Sequence, residues 1–204
     1  FGDFEDTEGR APIFFGGVNV YLREKIPFFR YAPRWLERIF DSPWVLNRAA
    51  KKEGATNAAE LGAMTLSMLE GREGNQRREY ERFLEWLTTQ PQPDIIHISN
   101  ALLLGFVPPI REVFDTPFVC SLQDEAPWVD AMRPPYDRRC WDAIARLGGH
   151  VGKFVATSRW YAGLLTDRMR IPDERMAVVY PGIETEGIAP AGPSFTPPTI
   201  GFLS

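Results

Sequence analysis

Residues 93–125 have the sequence PDIIHISNALLLGFVPPIREVFDTPFVCSLQDE, and the fold class can be predicted from these residues. It contains two short apolar runs, residues 94–98 and 117–122, each bounded by residues that favour turns. Near-continuous apolar runs are typical of parallel strands that are covered on both faces. Residues 102–114 predict a helix that bends or begins at Pro108-Pro109. The stretch therefore predicts two parallel strands joined by a helical crossover.

The same alternation of strands and helices continues along the chain. Further strands are predicted at residues 153–157, 176–179 and 199–203, and helices at residues 80–87, 102–114, 136–147 and 158–169. In the first helix, apolar side chains recur at helical spacing from Tyr80. Arg77 and Glu81 are expected to form an ion pair on the solvent-facing side of this helix. Asn75 and Ser158 are predicted N-caps. The expected fold is α/β, a Rossmann-like, open and mostly parallel sheet with helices on both faces.

Composition limits the class of protein. The 204 residues include 23 Lys and Arg, 27 Asp and Glu, and 44% hydrophobic residues, which describes a soluble globular chain. A net charge of -4 supplies no basic field for nucleic acid. Only two cysteines occur and no zinc-ligand spacing exists, so we expect two half-buried thiols, no disulfide scaffold and no metal. The longest mostly apolar stretch, residues 101–110, is too short to cross a bilayer.

The chain is expected to hold one domain and the beginning of another. Residues 1–187 form the predicted domain, and residues 188–204 form a proline-rich linker followed by the first strand of a second domain. Residue 1 is Phe and not Met, so the native N-terminus is expected to lie upstream. Residues 51–74 are rich in Gly, Ala and small polar side chains and are expected to be partly mobile.

Residues 28–48 contain six aromatic side chains among four arginines. One interpretation is a core helix with a solvated basic edge. The other is an amphipathic element that docks peripherally on a membrane, or on a lipid-linked acceptor, at the cytoplasmic face. Both interpretations stay open at the level of sequence.

In an open parallel sheet, ligands bind at the carboxyl ends of the strands. Polar residues and turn residues follow the predicted strands at this edge: Ser99, Asn100, Gln123, Asp124, Glu125, Ser158, Arg159, Tyr180, Pro181 and Gly182. The alternative is that these are ordinary polar loops. Gly16-Gly17, which opens a predicted helix at residues 18–25, is a second candidate, because its backbone amides could approach a phosphate or a sugar hydroxyl.

No nucleophile triad is found. His97 and Cys120 lie inside predicted strands, where a hydrogen-bonded core histidine and an inert thiol are expected. His150 follows Gly148-Gly149 and is expected in a loop. The pattern GxGxxG and the Walker loop are both missing, which argues against dinucleotide and P-loop sites.

Five segments in order resemble the N-terminal domain of GT-B glycosyltransferases of the large retaining family 4 (group 1). Residues 16–22 (GGVNVYL) resemble the opening GG-x-x-x-y-v, residues 94–100 (DIIHISN) resemble D-v-v-H-x-H, and residues 118–124 (FVCSLQD) resemble v-v-t-l-H-D. Residues 154–158 (FVATS) are similar to v-i-a-v-S, and residues 171–184 (IPDERMAVVYPGIE) to i-p-x-e-k-i-x-v-i-p-N-G-v-D.

The resemblance implies a transferase that moves a sugar from a nucleotide-sugar donor to a sugar, lipid or small-molecule acceptor. No cofactor or metal is expected. Gln123 and Asp124 take the catalytic positions, while Gly16, Gly17, Asn19, Asn100, Glu125, Ser158, Arg159 and Gly182 take donor- and acceptor-binding positions. The nucleotide-sugar domain would follow Ser204, so this chain alone is expected to be inactive.

Two positions depart from the family pattern. Pro181-Gly182 stands where Asn-Gly is common, which a turn should tolerate, and the departure at residue 123 matters more. Gln123 stands where the family usually has His, and a glutamine amide can hydrogen-bond a hydroxyl but does not titrate near neutral pH. This departure leaves open a second interpretation, a non-catalytic carbohydrate-binding relative. A flavodoxin-like or receiver-like module is a third, but the receiver's acidic cluster and its Lys on the last strand are missing.

Overall fold

The computed structural model describes residues 58–184 and residue 186. Its helices are α1 (Ala58–Leu69), α2 (Arg77–Leu87), α3 (Val107–Arg111), α4 (Glu125–Asp130), α5 (Tyr136–Leu147) and α6 (Arg159–Met169). Its strands are β1 (Ile96–Ile98), β2 (Phe118–Leu122), β3 (Lys153–Ala156) and β4 (Met176–Val178). Short 3-10 helices cover Gly71–Glu73, Ala101–Phe106, Gly148–His150 and Asp173–Arg175. The predictions on Gly16, Gly17, Asn19, residues 28–48 and the linker lie outside the described residues.

The four strands form one parallel sheet in the order β1-β2-β3-β4. Ile96 pairs with Phe118, Cys120 pairs with Phe154, and Ala156 pairs with Val178. Each connection between neighbouring strands contains a helix, as parallel strands require. The predicted α/β fold with an open parallel sheet is therefore confirmed.

The two faces of the sheet differ in burial. Phe118, Cys120 and Leu122 of β2 are fully buried, and they join the helices that follow each strand in one hydrophobic core. The alternate residues of β2, Val119 and Ser121, are only partly buried and lie outside that core. Helices on this second face remain a prediction, because the core of the described residues lies on the first face.

Helix α1 corrects the expectation of a partly mobile segment for residues 58–69, whereas residues 51–57 lie outside the described residues. Its C-terminal half contributes buried side chains to the core, including Leu66 and Leu69. The glycines make this packing possible: a Cβ on Gly105 would lie 2.1 Å from the carbonyl oxygen of Met68. A Cβ on Gly74 would lie 1.9 Å from the carbonyl oxygen of Ser67. Small residues here serve close backbone packing and not mobility.

The local helix predictions have mixed outcomes. Helix α5 has the predicted bounds, and the Arg77–Glu81 ion pair is present at 2.7 Å. The predicted helix at residues 102–114 is instead a 3-10 helix followed by α3. The two prolines lie in the first turn of α3, directly after Val107, where their missing N–H groups cost nothing. The predicted cap Asn75 is wrong by one position, because Gln76 is the N-cap of α2.

Candidate active site at the carboxyl edge of the sheet

The carboxyl end of β2 presents two exposed polar side chains, Gln123 and Asp124. Strand β2 ends at Leu122 and α4 begins at Glu125, so these two residues form the whole connection. Gln123 Nε2 donates a hydrogen bond of 3.0 Å to the carbonyl oxygen of Ser99, which follows β1. The glutamine amide therefore bridges the ends of two adjacent strands while its side chain stays open to solvent.

Glu125 is fully buried directly behind this connection. Its Oε1 accepts a hydrogen bond of 2.9 Å from the amide of Ala101, and its Oε2 accepts one of 2.9 Å from the amide of Gln123. One carboxyl group thus holds the backbone after β1 and the backbone after β2. Burying a carboxyl group costs free energy unless its oxygens are hydrogen-bonded, and both oxygens of Glu125 have partners here.

Tyr161, on the first turn of α6, completes this arrangement. Its hydroxyl donates to Glu125 Oε2 at 2.8 Å and accepts from the amide of Ala126 at 3.1 Å. Burial, together with the negative charge of Glu125, raises the pKa of the Tyr161 phenol above its ordinary value. The phenol therefore stays protonated and remains a donor. The site is held by groups from the ends of β1, β2 and β3.

A contact between Glu125 and a ligand remains a prediction. The side chain of Glu125 is buried, whereas that of Gln123 is exposed. Both carboxyl oxygens of Glu125 accept hydrogen bonds from groups of the protein itself, and all of these bonds hold the loops at the strand ends in place. Asn100 likewise uses its side chain locally, with Oδ1 accepting from the amide of Leu102 at 2.7 Å. Arg159 and Gly182 are exposed at the same edge, after β3 and β4.

Ser158 is the N-cap of α6, as predicted, and its hydroxyl oxygen accepts a hydrogen bond of 3.1 Å from the amide of Tyr161. We expect Ser158→Ala to lower the free energy of unfolding by about 1 kcal/mol, because a helix N–H loses its acceptor. Ser158→Asp keeps an acceptor and should stay within about 0.5 kcal/mol of the wild type. Urea denaturation of the three proteins measures both effects. Equal stability of the Ala variant and the wild type would contradict the capping role.

The histidines and cysteines do not contribute a nucleophilic site. His97 lies on β1, and its Nε2 is 2.8 Å from Ser121 Oγ, so the predicted hydrogen bond of a histidine within a strand is present. Its side chain is exposed, however, so the prediction of a core histidine is wrong. His97 pairs with Val119 and lies on the same face of the sheet as Val119 and Ser121, outside the hydrophobic core. Cys120 and Cys140 are buried, and burial raises the pKa of both thiols, that of Cys140 to about 11. Both thiols are consequently inert near neutral pH.

Other features of the described residues lie away from this edge. A cavity of about 380 Å³ lies beside the C-terminal ends of α1 and α5, with Arg72, Glu112 and Arg146 among its lining residues. Helix α5 leads into β3, so its C-terminal end is near the amino ends of the strands, opposite to the candidate site. No three His, Cys, Asp or Glu side chains cluster as metal ligands among residues 58–184 and 186. Within the same residues, no helix is both long enough and apolar enough to span a membrane.

The part of the site that sequence reasoning missed is Tyr161. Its signal in the sequence is weak, because an aromatic residue on the first turn of a helix is ordinary. Its partner Glu125 lies 36 residues earlier, and only the packing of α6 against the end of β2 brings the two together.

Comparison with known protein families agrees with this geometry. Residues 61–186, more than half of the chain, match the family model described as Glycosyltransferase Family 4. Separate comparisons with curated proteins and with solved structures found no match for the chain. The matched region begins within α1 and ends after β4, and it therefore includes the sheet and its carboxyl edge. The chain belongs to glycosyltransferase family 4, and its function is of the glycosyltransferase type.

Proposed function

We propose that this chain is the acceptor-side domain of a retaining glycosyltransferase. The complete enzyme transfers a sugar from a nucleotide-sugar donor to a sugar, a lipid or a small-molecule acceptor. The donor is held mainly by a second domain that follows the linker. Gln123 and Asp124 are the residues of this domain that face the reacting sugar.

One observation carries this proposal. Gln123 and Asp124 are exposed at the carboxyl end of an interior strand, and the buried carboxyl group of Glu125 holds their backbone. Open α/β sheets bind their ligands outside this edge. A rigid, buried support beneath exposed polar side chains is the arrangement that a binding or catalytic site requires.

The chemistry suits a glutamine at this position. In retaining transfer, the donor loses its nucleoside diphosphate, and the sugar passes to an acceptor hydroxyl whose proton goes to the departing phosphate. The protein contributes mainly orientation and electrostatic stabilisation. Gln123 holds a sugar hydroxyl through its amide, and Asp124 orients that hydroxyl or fixes the loop. Neither role needs a group that titrates near neutral pH.

Gln123→Ala in the full-length protein should reduce the transfer rate about ten- to a hundredfold, because a buried hydrogen bond to the sugar is lost. Gln123→His should keep or raise the rate, since His occupies this position in the family pattern. The measurement is steady-state transfer with the true donor and acceptor. Transfer by Gln123→Ala within twofold of the wild type would show that the position is structural.

Gln92→Ala is the matched control. Gln92 is also exposed, and its Nε2 also donates to a backbone carbonyl, that of Asp115, at 3.1 Å. It precedes β1 and therefore lies at the amino edge of the sheet, away from the proposed site. We expect no change in transfer for this variant.

A non-catalytic carbohydrate-binding protein is the alternative, and Gln123 in place of the usual His is the observation that favours it. Two measurements on the full-length protein separate the two functions: binding to a glycan array, and hydrolysis or transfer of nucleotide sugars. Glycan binding without turnover of any nucleotide sugar supports the alternative, whereas turnover supports the transferase.

A further inference from the structure

Most of the large exposed hydrophobic side chains of the described residues follow two neighbouring strands at the carboxyl edge of the sheet. Five such side chains occur among the described residues, and four of them follow β3 or β4: Trp160, Val179, Tyr180 and Ile183. Trp160 is 75% exposed and Tyr180 is 61% exposed. Scattered exposed hydrophobic residues are ordinary, but a group of them at one edge indicates a binding surface.

The sheet places these side chains at the same edge as Gln123. Trp160 is on the first turn of α6, two residues after the cap Ser158. Its ring stacks on the ring of Tyr161, with the ring centroids 6.2 Å apart. The amide of Val179 donates to the carbonyl oxygen of Ala156 at 3.0 Å. Tyr180 therefore continues from the end of β4 beside the end of β3.

We propose that Trp160, together with Tyr180 after the neighbouring strand, is an aromatic platform that binds the apolar face of a sugar ring in the acceptor. This inference rests on the proposed function and adds the ligand class and the residues that hold it. A pyranose ring has one face rich in C–H bonds, and these bonds carry partial positive charge. The face of an aromatic ring is negative, so the two surfaces attract each other and exclude water.

The polar groups along this edge favour a carbohydrate over a protein partner. Gln123, Asp124 and Arg159 are exposed there, and together they offer a donor, an acceptor and a guanidinium group. A sugar has hydroxyl groups around the rim of its apolar face, and these hydroxyls can pair with such side chains. The core of a protein–protein interface is instead depleted in charged residues.

The experiment measures glycan binding directly, without a requirement for transfer. The wild-type protein is applied to an array of immobilised mono- and oligosaccharides, and the best-bound sugar is then titrated in solution by calorimetry. Trp160→Ala should weaken binding about tenfold, equivalent to ~1.4 kcal/mol, and Trp160→Phe should stay within about threefold of the wild type. Tyr180→Ala should weaken binding severalfold.

Ile95→Ala is the control, because Ile95 is 56% exposed but precedes β1 at the amino edge. It should leave binding unchanged, and urea denaturation should show the same midpoint for all variants, since the substituted side chains are exposed. The proposal is wrong if Trp160→Ala binds the sugar within twofold of the wild-type affinity, or if the wild type binds no sugar. Sugar binding that depends on Trp160, without turnover of any nucleotide sugar, supports the platform and contradicts the transferase.

Discussion

Glu125→Ala is expected to lower the free energy of unfolding by about 3 kcal/mol or more, because it leaves three buried donors unpaired and each of them costs at least about 1 kcal/mol. The three donors are the amides of Ala101 and Gln123 and the hydroxyl of Tyr161. A loss of this size is comparable with the whole stability of many domains. The variant should therefore unfold at much lower urea concentration, and the loop that carries Gln123 should lose its support.

Two further variants test the cause of this effect. Glu112→Ala removes a surface carboxyl group that pairs with Arg72 at 2.6 Å, and it should cost less than about 1 kcal/mol. Tyr161→Phe removes a single member of the buried network and should cost about 1 to 3 kcal/mol. In a double-mutant cycle, Tyr161→Phe and Glu125→Ala should be strongly non-additive, because they share a hydrogen bond. Additive effects would show that the two residues act independently.

Gly105→Ala should destabilise the protein by on the order of 3 kcal/mol, the upper end of the cost of overpacking. The added methyl group would lie 2.1 Å from the carbonyl oxygen of Met68 and 3.0 Å from that of Leu69. Both atoms belong to the backbone of α1, so no side-chain rotation relieves the contact. Helix α1 would have to move away from the 3-10 helix Ala101–Phe106, and urea denaturation measures the cost.

Gly163→Ala is the control for this substitution. Gly163 lies within α6, is exposed, and has no atom within 4 Å of the position of an added Cβ. Alanine favours a helix interior over glycine by up to about 1 kcal/mol, so this variant should be slightly more stable than the wild type. If both glycine substitutions had the same effect, the close backbone approach at Gly105 would not be a determinant of stability.

The elements that could be predicted are those whose signals are local. The apolar run before Gln123 indicated β2, and Ser158 directly after an apolar run indicated the start of α6. The helix α1 could not be predicted by the same reasoning, because its small residues are also typical of loops. Its stability comes from packing on α5 and on the 3-10 helix Ala101–Phe106, which no local pattern records.

The position of the candidate site could be predicted from the sequence, but which of its side chains are exposed and which is buried could not. Because parallel strands end at one edge, the sequence placed Gln123, Asp124 and Glu125 together there. It did not separate the two exposed side chains from the buried one, although they are consecutive. Glu125 occupies the first position of α4, and the helix turns its side chain inward, away from Gln123 and Asp124.

Sequence patterns were sufficient to predict the fold class, the parallel sheet, the resemblance to family 4 and the edge at which function is expected. Those inferences depend on apolar runs, caps and short motifs, which act over a few neighbouring residues. Packing between separate elements was needed to show that Glu125 is a buried support, that His97 is exposed, and that Trp160 and Tyr180 are exposed after neighbouring strands. Glu125 meets Ala101 and Tyr161 across 24 and 36 residues of chain, and hydrogen bonds of that range form only when separate elements pack together.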